Sequence, residues 1–171
     1  MPILPYKGVM PTIEDNVFIA PGAMVIGDVT IREGASVWYN TVIRADTAPI
    51  VIGRHTNIQD NCTLHVDSDA PLTIGDACTI GHGAIIHGAT IGDQVLVGMK
   101  AVVLSHAHIG PRTIVGACAL VGEHKDIPEG VLMLGIPAKY ARELTEAELE
   151  NIVTSAEEYY ERAQNHKKSI E

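Results

Sequence analysis

The sequence predicts an all-β protein, a parallel β-helix of about seven triangular coils that ends in a C-terminal α-helix. Two patterns predict this fold: an aliphatic residue recurs every six positions over most of the chain, and a helical spacing replaces it near the C-terminus. Composition agrees, since 46% of the residues are hydrophobic but only 4% are aromatic. The core must therefore be built from Ile, Val, Leu and Ala, which suits narrow repetitive β structure.

The six-residue ladder has nineteen positions, and fifteen of its eighteen steps are six residues long. An amphipathic helix repeats at 3.6 residues and a half-buried strand at 2, so this period indicates a short strand and a corner, three of which close one coil. A β-sandwich is the alternative, but variable hairpin turns would separate its strands. The ladder consists of Ile13, Ile19, Val25, Ile31, Val37, Ile43, Ile52, Ile58, Leu64, Ile74, Ile80, Ile86, Ile91, Val97, Val103, Ile109, Val115, Val121 and Ile127.

A C-terminal helix is predicted by a capping box, in which Thr145 is followed three residues later by Glu148. We expect its apolar face to cover the β-helix or a neighbouring subunit, and we expect residues 166–171 to be frayed. The sequence thus divides into a β-helix domain, 1–137, and an exit segment with the amphipathic helix, 138–171. The apolar positions of the helix are Leu149, Ile152, Val153, Ala156, Tyr159 and Tyr160.

Charge and cysteine content exclude several classes of partner. The formal net charge of −9 argues against binding to nucleic acid or to an anionic membrane, because either would require a basic stripe. No apolar run approaches the ~18 residues of a membrane-spanning helix. The three cysteines show no CxxC spacing, so we expect a protein of the reducing cytoplasm.

The repeat register brings two histidines together. Three hexads make one coil, so Leu64 and Ile86 fall in one column, and the next residues, His65 and His87, project from the same face of adjacent coils. Arg44 belongs to the same column. Paired strands lie about 4.8 Å apart, a spacing at which two imidazoles can share one metal ion.

A third histidine, His82, follows Ile80 on the next face. One hexad spans up to ~20 Å, whereas zinc requires each nitrogen within ~2.1 Å, so His82 cannot reach the pair within one chain. A homotrimer with metal sites shared between subunits removes this difficulty. Asp60, two residues after Ile58, lies directly above His82 in this register and could accept its second N–H.

The remaining features bear on the surroundings of this site. Longer steps in the ladder, at 45–51 and 66–73, predict small loops near it. His106 and His108 form the nearest rival pair, as alternate residues of one face, but they lack a third partner in register. We interpret five histidines as solvated or hydrogen-bonded side chains: His55, His106, His108, His124 and His166.

Three segments, WYNTVIRAD, TNIQDNCTLHVD and IGHGAIIHGATIG, resemble the gamma class of carbonic anhydrases, and the resemblance extends over almost the whole chain. It implies that the β-helix is left-handed. It also implies a metalloenzyme that hydrates carbon dioxide reversibly to bicarbonate by means of a metal-bound hydroxide. The metal would be zinc, although cobalt and ferrous iron also favour imidazole ligands.

Carried over to this sequence, the resemblance implies that His65 and His87 of one subunit and His82 of another bind the metal. It implies that Gln59 holds the metal-bound hydroxide by a hydrogen bond, with Asn57 close by. Three neutral imidazoles leave coordination positions open, as in catalytic zinc sites.

The same resemblance assigns Arg44, Asp46 and Asp60 to an arginine–carboxylate set that holds the trimer and orients the ligands. Thr47 departs from the archaeal prototype, which has an acidic residue there, and the acidic loop after the first ligand is shortened. Asp67, Asp69 or Tyr159 could substitute in exporting a proton.

Three other functions remain open on the sequence. The same metal site could hydrolyse a thioester, provided that a groove accepts an acyl-pantetheine chain. A hexapeptide acyltransferase would use acetyl-CoA and one histidine as general base without a metal. A non-enzymatic metal-chelate binding protein of the same fold would bind without turnover.

Overall fold

The computed structural model describes residues 3–170. In this part of the chain, short strands form a parallel solenoid of about seven turns, and one long helix follows, which confirms the predicted fold class. The strands are β1 (Ile3–Leu4), β2 (Thr12–Ile13), β3 (Phe18–Ile19), β4 (Met24–Ile31), β5 (Ser36–Val37), β6 (Val42–Ile52), β7 (Asn57–Ile58), β8 (Thr63–His65), β9 (Leu72–Ile74), β10 (Thr79–Ile80), β11 (Ile85–His87), β12 (Thr90–Ile91), β13 (Leu96–Val97), β14 (Val102–Val103), β15 (His108–Ile109), β16 (Ile114–Val115), β17 (Leu120–Val121), β18 (Asp126–Ile127), β19 (Val131–Leu134) and β20 (Lys139–Glu143), and the helix is α1 (Glu146–Ile170).

The solenoid has three faces. The first face contains β8, β11, β14 and β17, the second contains β9, β12, β15 and β18, and the third contains β5, β7, β10, β13 and β16. Strands β4 and β6 continue around the corner between the first two faces and join them in one twelve-stranded sheet. The third face is part of a separate eight-stranded sheet, which ends where β20 pairs antiparallel with β19. The division predicted at residue 137 stays a prediction.

The aliphatic ladder lines the inside of the solenoid. All of its positions are buried except Ile13 and Ile19 near the N-terminal end, which are partly buried. Leu64 pairs with Ile86, and Ile58 pairs with Ile80, so the predicted register is confirmed. Burial of one such side chain stabilises the fold by about 1.5–3 kcal/mol, which makes the ladder the main source of stability.

The two long steps differ from each other. Residues 45–51 were predicted as a loop, but they lie within the continuous strand β6. Ala45, Ile50 and Val51 pair with β4, Ile50 and Val51 also pair with β9, and residues 46–49 lie where the register with β4 shifts. That expectation was wrong. The second step contains a tight turn, in which the Ala70 N–H donates to the Asp67 carbonyl at 3.1 Å.

Helix α1 begins at the predicted capping box. The Thr145 N–H donates to Glu148 Oε2 at 2.9 Å, and the Glu148 N–H donates to Thr145 Oγ1 at 3.3 Å. Ile152, Ala156 and Ala163 are the buried residues of the helix, so its apolar face reaches beyond the predicted positions. Among residues 3–170, no helix has the length and apolarity needed to cross a membrane.

The end of the helix is ordered by an aromatic cluster. The His166 ring lies 5.0 Å from the ring of Trp38 and 6.0 Å from that of Phe18, and its Nδ1 is 3.0 Å from the Tyr39 hydroxyl. Residues 166–170 are helical, so the expectation that they are frayed was wrong. Glu171 lies outside the described residues.

Candidate metal centre

His65 and His87 end the neighbouring strands β8 and β11 on the first face. They are direct register partners, as predicted, and His65 Nδ1 lies 2.9 Å from His87 Nε2. Both side chains are about a quarter exposed, so a ligand can reach them from the surface.

Each of these two rings also contacts an oxygen atom with its other nitrogen. His65 Nε2 lies 2.9 Å from Asp46 Oδ1, and His87 Nδ1 lies 2.9 Å from Ser105 Oγ. The Ser105 hydroxyl in turn donates to Asp67 Oδ2 at 2.7 Å. The five side chains form one continuous hydrogen-bond network of four contacts, with a carboxylate at each end.

The available hydrogens of this network satisfy every contact except the one between His65 and His87. Ionised carboxylates only accept, so His65 donates from Nε2 to Asp46, and Ser105 gives its single hydroxyl hydrogen to Asp67. Ser105 must then accept from His87 Nδ1. With both rings neutral, His65 Nδ1 and His87 Nε2 face each other as two lone pairs. Only a cation, either a proton or a metal ion, makes that contact attractive.

The separation of the two nitrogens suits a metal of the zinc type. Zinc–nitrogen bonds of about 2.0–2.1 Å in tetrahedral geometry hold two nitrogens roughly 3.3 Å apart, so the 2.9 Å contact between His65 and His87 needs to open by only a few tenths of an ångström. Oxygen partners on the outer nitrogens of histidine ligands are the usual second layer of such sites. The donor set therefore fits a metal.

His82 occupies a different position, at the corner between the third face and the first, after β10. Its Nδ1 lies 2.7 Å from Asp60 Oδ2, in the register that the sequence predicted. This contact leaves Nε2 of a half-exposed ring available for another partner. Within residues 3–170, no three His, Cys, Asp or Glu side chains of one chain are grouped to hold a single metal ion. The structure thus brings together two of the three predicted ligands.

Gln59 and Asn57 are buried beside His82. Gln59 Oε1 accepts the backbone N–H of His82 at 3.1 Å, and Gln59 Nε2 donates to Asn57 Oδ1 at 3.2 Å. Asn57 is itself held by donating to Thr79 Oγ1 at 2.9 Å. Gln59 thereby keeps its second amide hydrogen for another acceptor in a fixed orientation.

Arg44 donates to Asp46, which also accepts from His65. Burial acts to raise the pKa of Asp46, but the hydrogen bond from His65 and the adjacent guanidinium outweigh it, so the pKa lies below its ordinary value. Asp46 is therefore ionised at neutral pH and fixes the hydrogen of His65 on Nε2.

Cysteine thiols are poor candidates for this chemistry. Cys62 and Cys78 point into the core, and burial raises the pKa of each thiol to about 12. Since the thiolate is the form that binds metals and attacks substrates, neither residue can serve in these roles near neutral pH.

The rival pair of the sequence analysis does not form. His106 occupies a corner with a left-handed backbone (φ 61°) and stacks on His124 at 4.6 Å between ring centroids. His108 lies on the second face, where its Nδ1 is 3.0 Å from Asp126 Oδ1. The expectation that His106 and His108 share a face was wrong, because the corner separates them.

Comparisons with known proteins support the assignment that the three sequence segments suggested. Residues 10–45 and 88–123 match the family model described as bacterial transferase hexapeptide (six repeats). A protein of Methanocaldococcus jannaschii named probable carbonic anhydrase is 50% identical over 147 residues, which are 86% of this chain and 92% of that relative. The gamma carbonic anhydrase 2, mitochondrial, of Arabidopsis thaliana is 43% identical over 91% of this chain, which spans 58% of that longer relative. The chain belongs to the gamma carbonic anhydrase family.

Solved structures share the fold of this gamma carbonic anhydrase-like enzyme. A hexapeptide transferase family protein from Anaplasma phagocytophilum has a TM-score of 0.92 and 39% identity, and the match covers 95% of this chain and 96% of the other. That protein is described as a member of the hexapeptide transferase family.

Ser105, which contacts His87 in this gamma carbonic anhydrase-like enzyme, was not among the site residues predicted from the sequence. The residue lies one position beyond Leu104, which follows Val103, the register partner of Ile86 beside His87. The sequence signal that could have identified Ser105 was a small hydroxyl side chain directly after the column of residues that contains His65 and His87. Of the residues considered for proton export, Tyr159 packs edge-on against Trp38 at 5.5 Å, and burial raises the pKa of its phenol.

Proposed function

We propose that this chain catalyses the reversible hydration of carbon dioxide to bicarbonate at a metal held by His65 and His87 of one subunit and His82 of another in a homotrimer. The observation that carries the proposal is the 2.9 Å distance between His65 Nδ1 and His87 Nε2, a contact that needs a cation when both rings are neutral. Names of relatives at 43–50% identity support carbon dioxide as the substrate.

The metal is proposed to be zinc, with cobalt and ferrous iron as alternatives. When bound, such a metal supplies a Lewis acid that makes water nucleophilic near neutral pH. Hydrogen bonds to Asp46, Asp60 and Ser105 would hold the three imidazoles as neutral ligands.

Gln59 and Asn57 are proposed to orient the reacting oxygen. The amide of Gln59 is fixed by two contacts, so its remaining N–H can donate to an oxygen of water or substrate without reorganisation. Asn57 fixes Gln59 by accepting its other amide N–H. The proton that leaves the site needs an exposed acceptor, and Asp69 beside His106, at 3.6 Å, is such a group.

A homotrimer is proposed because the site is incomplete in one chain. His82 contacts Asp60 through Nδ1 and has Nε2 available at its own corner, and among residues 3–170 no third His, Cys, Asp or Glu of the same chain completes a metal site with His65 and His87. In a closed cyclic trimer, one corner of each subunit can meet a face of the next. Arg44 and Asp46 lie at the edge of this face and are proposed to form part of the contact.

The three free cysteines also bear on the proposal. Cys62, Cys78 and Cys118 form no disulfide with one another, which fits a reducing compartment such as the cytoplasm. A cytoplasmic location is therefore part of the proposal.

Thioester hydrolysis is a second candidate, favoured by a cavity of about 380 Å³ beside His82. The cavity lies between the third face and α1, and Gly81, Gly98 and Met99 are among its lining residues. Such a groove is the feature that an acyl-pantetheine substrate requires.

The test is stopped-flow hydration of carbon dioxide by protein reconstituted separately with zinc, cobalt and anaerobic ferrous iron. We expect metal-dependent turnover that is abolished in His82→Ala and retained in His55→Ala, a control whose ring packs on Tyr160 of α1. Light scattering of the same samples should give a trimer. A metal-loaded trimer without turnover contradicts the proposal, and release of thiol from acyl-CoA by that sample would support the second candidate.

A further inference from the structure

We propose that Ser105 and Asp67 form a positioning pair that fixes the tautomer of His87 and leaves the lone pair of Nε2 directed at His65. The inference rests on the proposed function in one respect, that His87 is a metal ligand. It assigns a role to a serine and to a short turn that the family resemblance does not cover.

The geometry determines the tautomer. Ser105 has one hydroxyl hydrogen and two neighbours, Asp67 Oδ2 at 2.7 Å and His87 Nδ1 at 2.9 Å. The carboxylate can only accept, so the hydroxyl hydrogen goes to Asp67, and Ser105 is left to accept from His87. His87 must carry its hydrogen on Nδ1. Nε2 is then the nitrogen that can bind a metal.

The pair is held in place by the packing around the turn. Ser105 is buried, and Asp67 begins the turn that ends at Ala70. Gly88, directly after His87, has a left-handed backbone (φ 52°), and a Cβ there would lie 2.7 Å from the Cβ of Ala70 and 3.1 Å from Ser105 Oγ. Glycine at this position is what allows the turn to approach His87 closely enough for the two hydrogen bonds.

Without the hydroxyl, both tautomers of His87 become available. A ring with hydrogen on Nε2 would direct an N–H at the metal position, and ligand binding would first have to reverse it. Loss of an outer hydrogen-bond partner of a metal-binding histidine typically lowers metal affinity roughly 10–100-fold. We expect a loss in this range for Ser105→Ala.

The experiment measures the tautomer directly in metal-free, full-length protein labelled with ¹⁵N-histidine. Spectra are recorded above the ordinary imidazole pKa of about 6.5, and His87 is assigned by comparison with His87→Gln. The wild type should show hydrogen on Nδ1 of His87, and Ser105→Ala should show a mixture or the opposite tautomer. Zinc affinity is measured on the same proteins by competition with a chromophoric chelator.

Three further variants make the result specific. Asp67→Ala should act in the same direction as Ser105→Ala, and because Asp67 is exposed it keeps the test available if the serine variant fails to fold. Asp67→Asn retains an oxygen that accepts from Ser105, so it should restore the tautomer and most of the affinity. Ser68→Ala, at an exposed neighbouring position of the turn, should match the wild type.

Three results would overturn the inference: hydrogen on Nε2 of His87 in the metal-free wild type, an unchanged tautomer in folded Ser105→Ala, or an unchanged zinc affinity in that variant. Neither measurement depends on turnover. A wild type that binds zinc and shows the Nδ1 tautomer but does not hydrate carbon dioxide would contradict the proposed function alone.

Discussion

His82 Nδ1 lies 2.7 Å from Asp60 Oδ2, although the two residues are 22 positions apart in the chain. They are neighbours because β7 and β10 pair in register on the third face and both residues stand two positions after a paired isoleucine. Asp60 also accepts the backbone N–H of Tyr39 at 3.2 Å, so the carboxylate is anchored from a second side. The ring of His82 is thereby fixed through Nδ1, and Nε2 remains available for another partner.

Removal of this carboxylate should weaken metal binding. We predict that Asp60→Ala lowers zinc affinity roughly 10–100-fold, because the His82 ring loses the acceptor that orients it and makes it a better ligand. Asp60→Asn keeps an oxygen acceptor, so its zinc affinity should lie between those of Asp60→Ala and the wild type. Competition with a chelator measures the effect, and equal affinities of Asp60→Ala and wild type would show that Asp60 does not orient a ligand.

Gln59 should affect turnover without affecting metal content. We predict that Gln59→Ala lowers kcat/KM for carbon dioxide hydration roughly 100-fold, which is the usual cost of removing one fixed donor to a reacting oxygen. Gln59→Glu keeps the oxygen that accepts from the His82 backbone but loses the donor, so it should be equally impaired. Elemental analysis should give the same metal content in all three proteins. A fully active Gln59→Glu would contradict the assigned role.

Contacts between adjacent coils could be predicted from the sequence because the six-residue period fixes which residues stack. The pairings of His65 with His87 and of Asp60 with His82 both follow from the ladder. The contact of Ser105 with Asp67 does not, since it depends on the path of residues 66–70 outside the repeat. A period carries no information about the path of an insertion.

Other features depended on long-range packing. Residues 45–51 belong to a strand because its ends pair with β4 and its later residues, Ile50 and Val51, also pair with β9, which no local pattern indicated. His166 is helical because its ring packs against Trp38, 128 positions earlier in the chain. In the proposed homotrimer the third metal ligand comes from another subunit, so neither one sequence nor one subunit can establish it.

The capping box at the start of α1 should make stability depend on pH. The hydrogen bond from Arg142, followed by that from the Thr145 backbone, lowers the pKa of Glu148 from 4.5 to about 2. A carboxyl whose pKa is lower in the folded state stabilises the fold fully above the unfolded value, and this contribution is lost as the pH falls from 4.5 towards 2.

We therefore predict that Glu148→Gln unfolds at a lower temperature than the wild type at pH 7 and that the difference disappears near pH 2. Because Glu148 is partly exposed and its ion pair with Arg142 lies at the surface, the effect at pH 7 should be small. Glu150→Gln, on the same helix, serves as the control and should show no such convergence. The unfolding temperatures are measured by circular dichroism at each pH. A difference between Glu148→Gln and the wild type that persists unchanged near pH 2 would contradict the pKa shift as its cause.

The most direct test of a shared site is complementation between two inactive subunits. Under the proposed arrangement, the first face of one subunit supplies His65 and His87 to each site, and the corner of its neighbour supplies His82. His65→Ala therefore removes a ligand from the first face, and His82→Ala removes the ligand at the corner. When the two variants assemble at random in equal amounts, a site is intact if its first face comes from the His82→Ala subunit and its corner from the His65→Ala subunit. Each condition is met half the time, so about a quarter of the wild-type turnover should return.

The control is a mixture of His65→Ala and His87→Ala. Both residues lie on the same face of one chain, 2.9 Å apart, so no combination of these subunits can rebuild a complete pair, and no turnover should return. Mixed assembly is verified by purification through two different affinity tags, one on each variant. Activity in the first mixture and none in the second requires that His82 act across the subunit boundary, whereas two inactive mixtures of verified mixed trimers would show that each site is built within one chain.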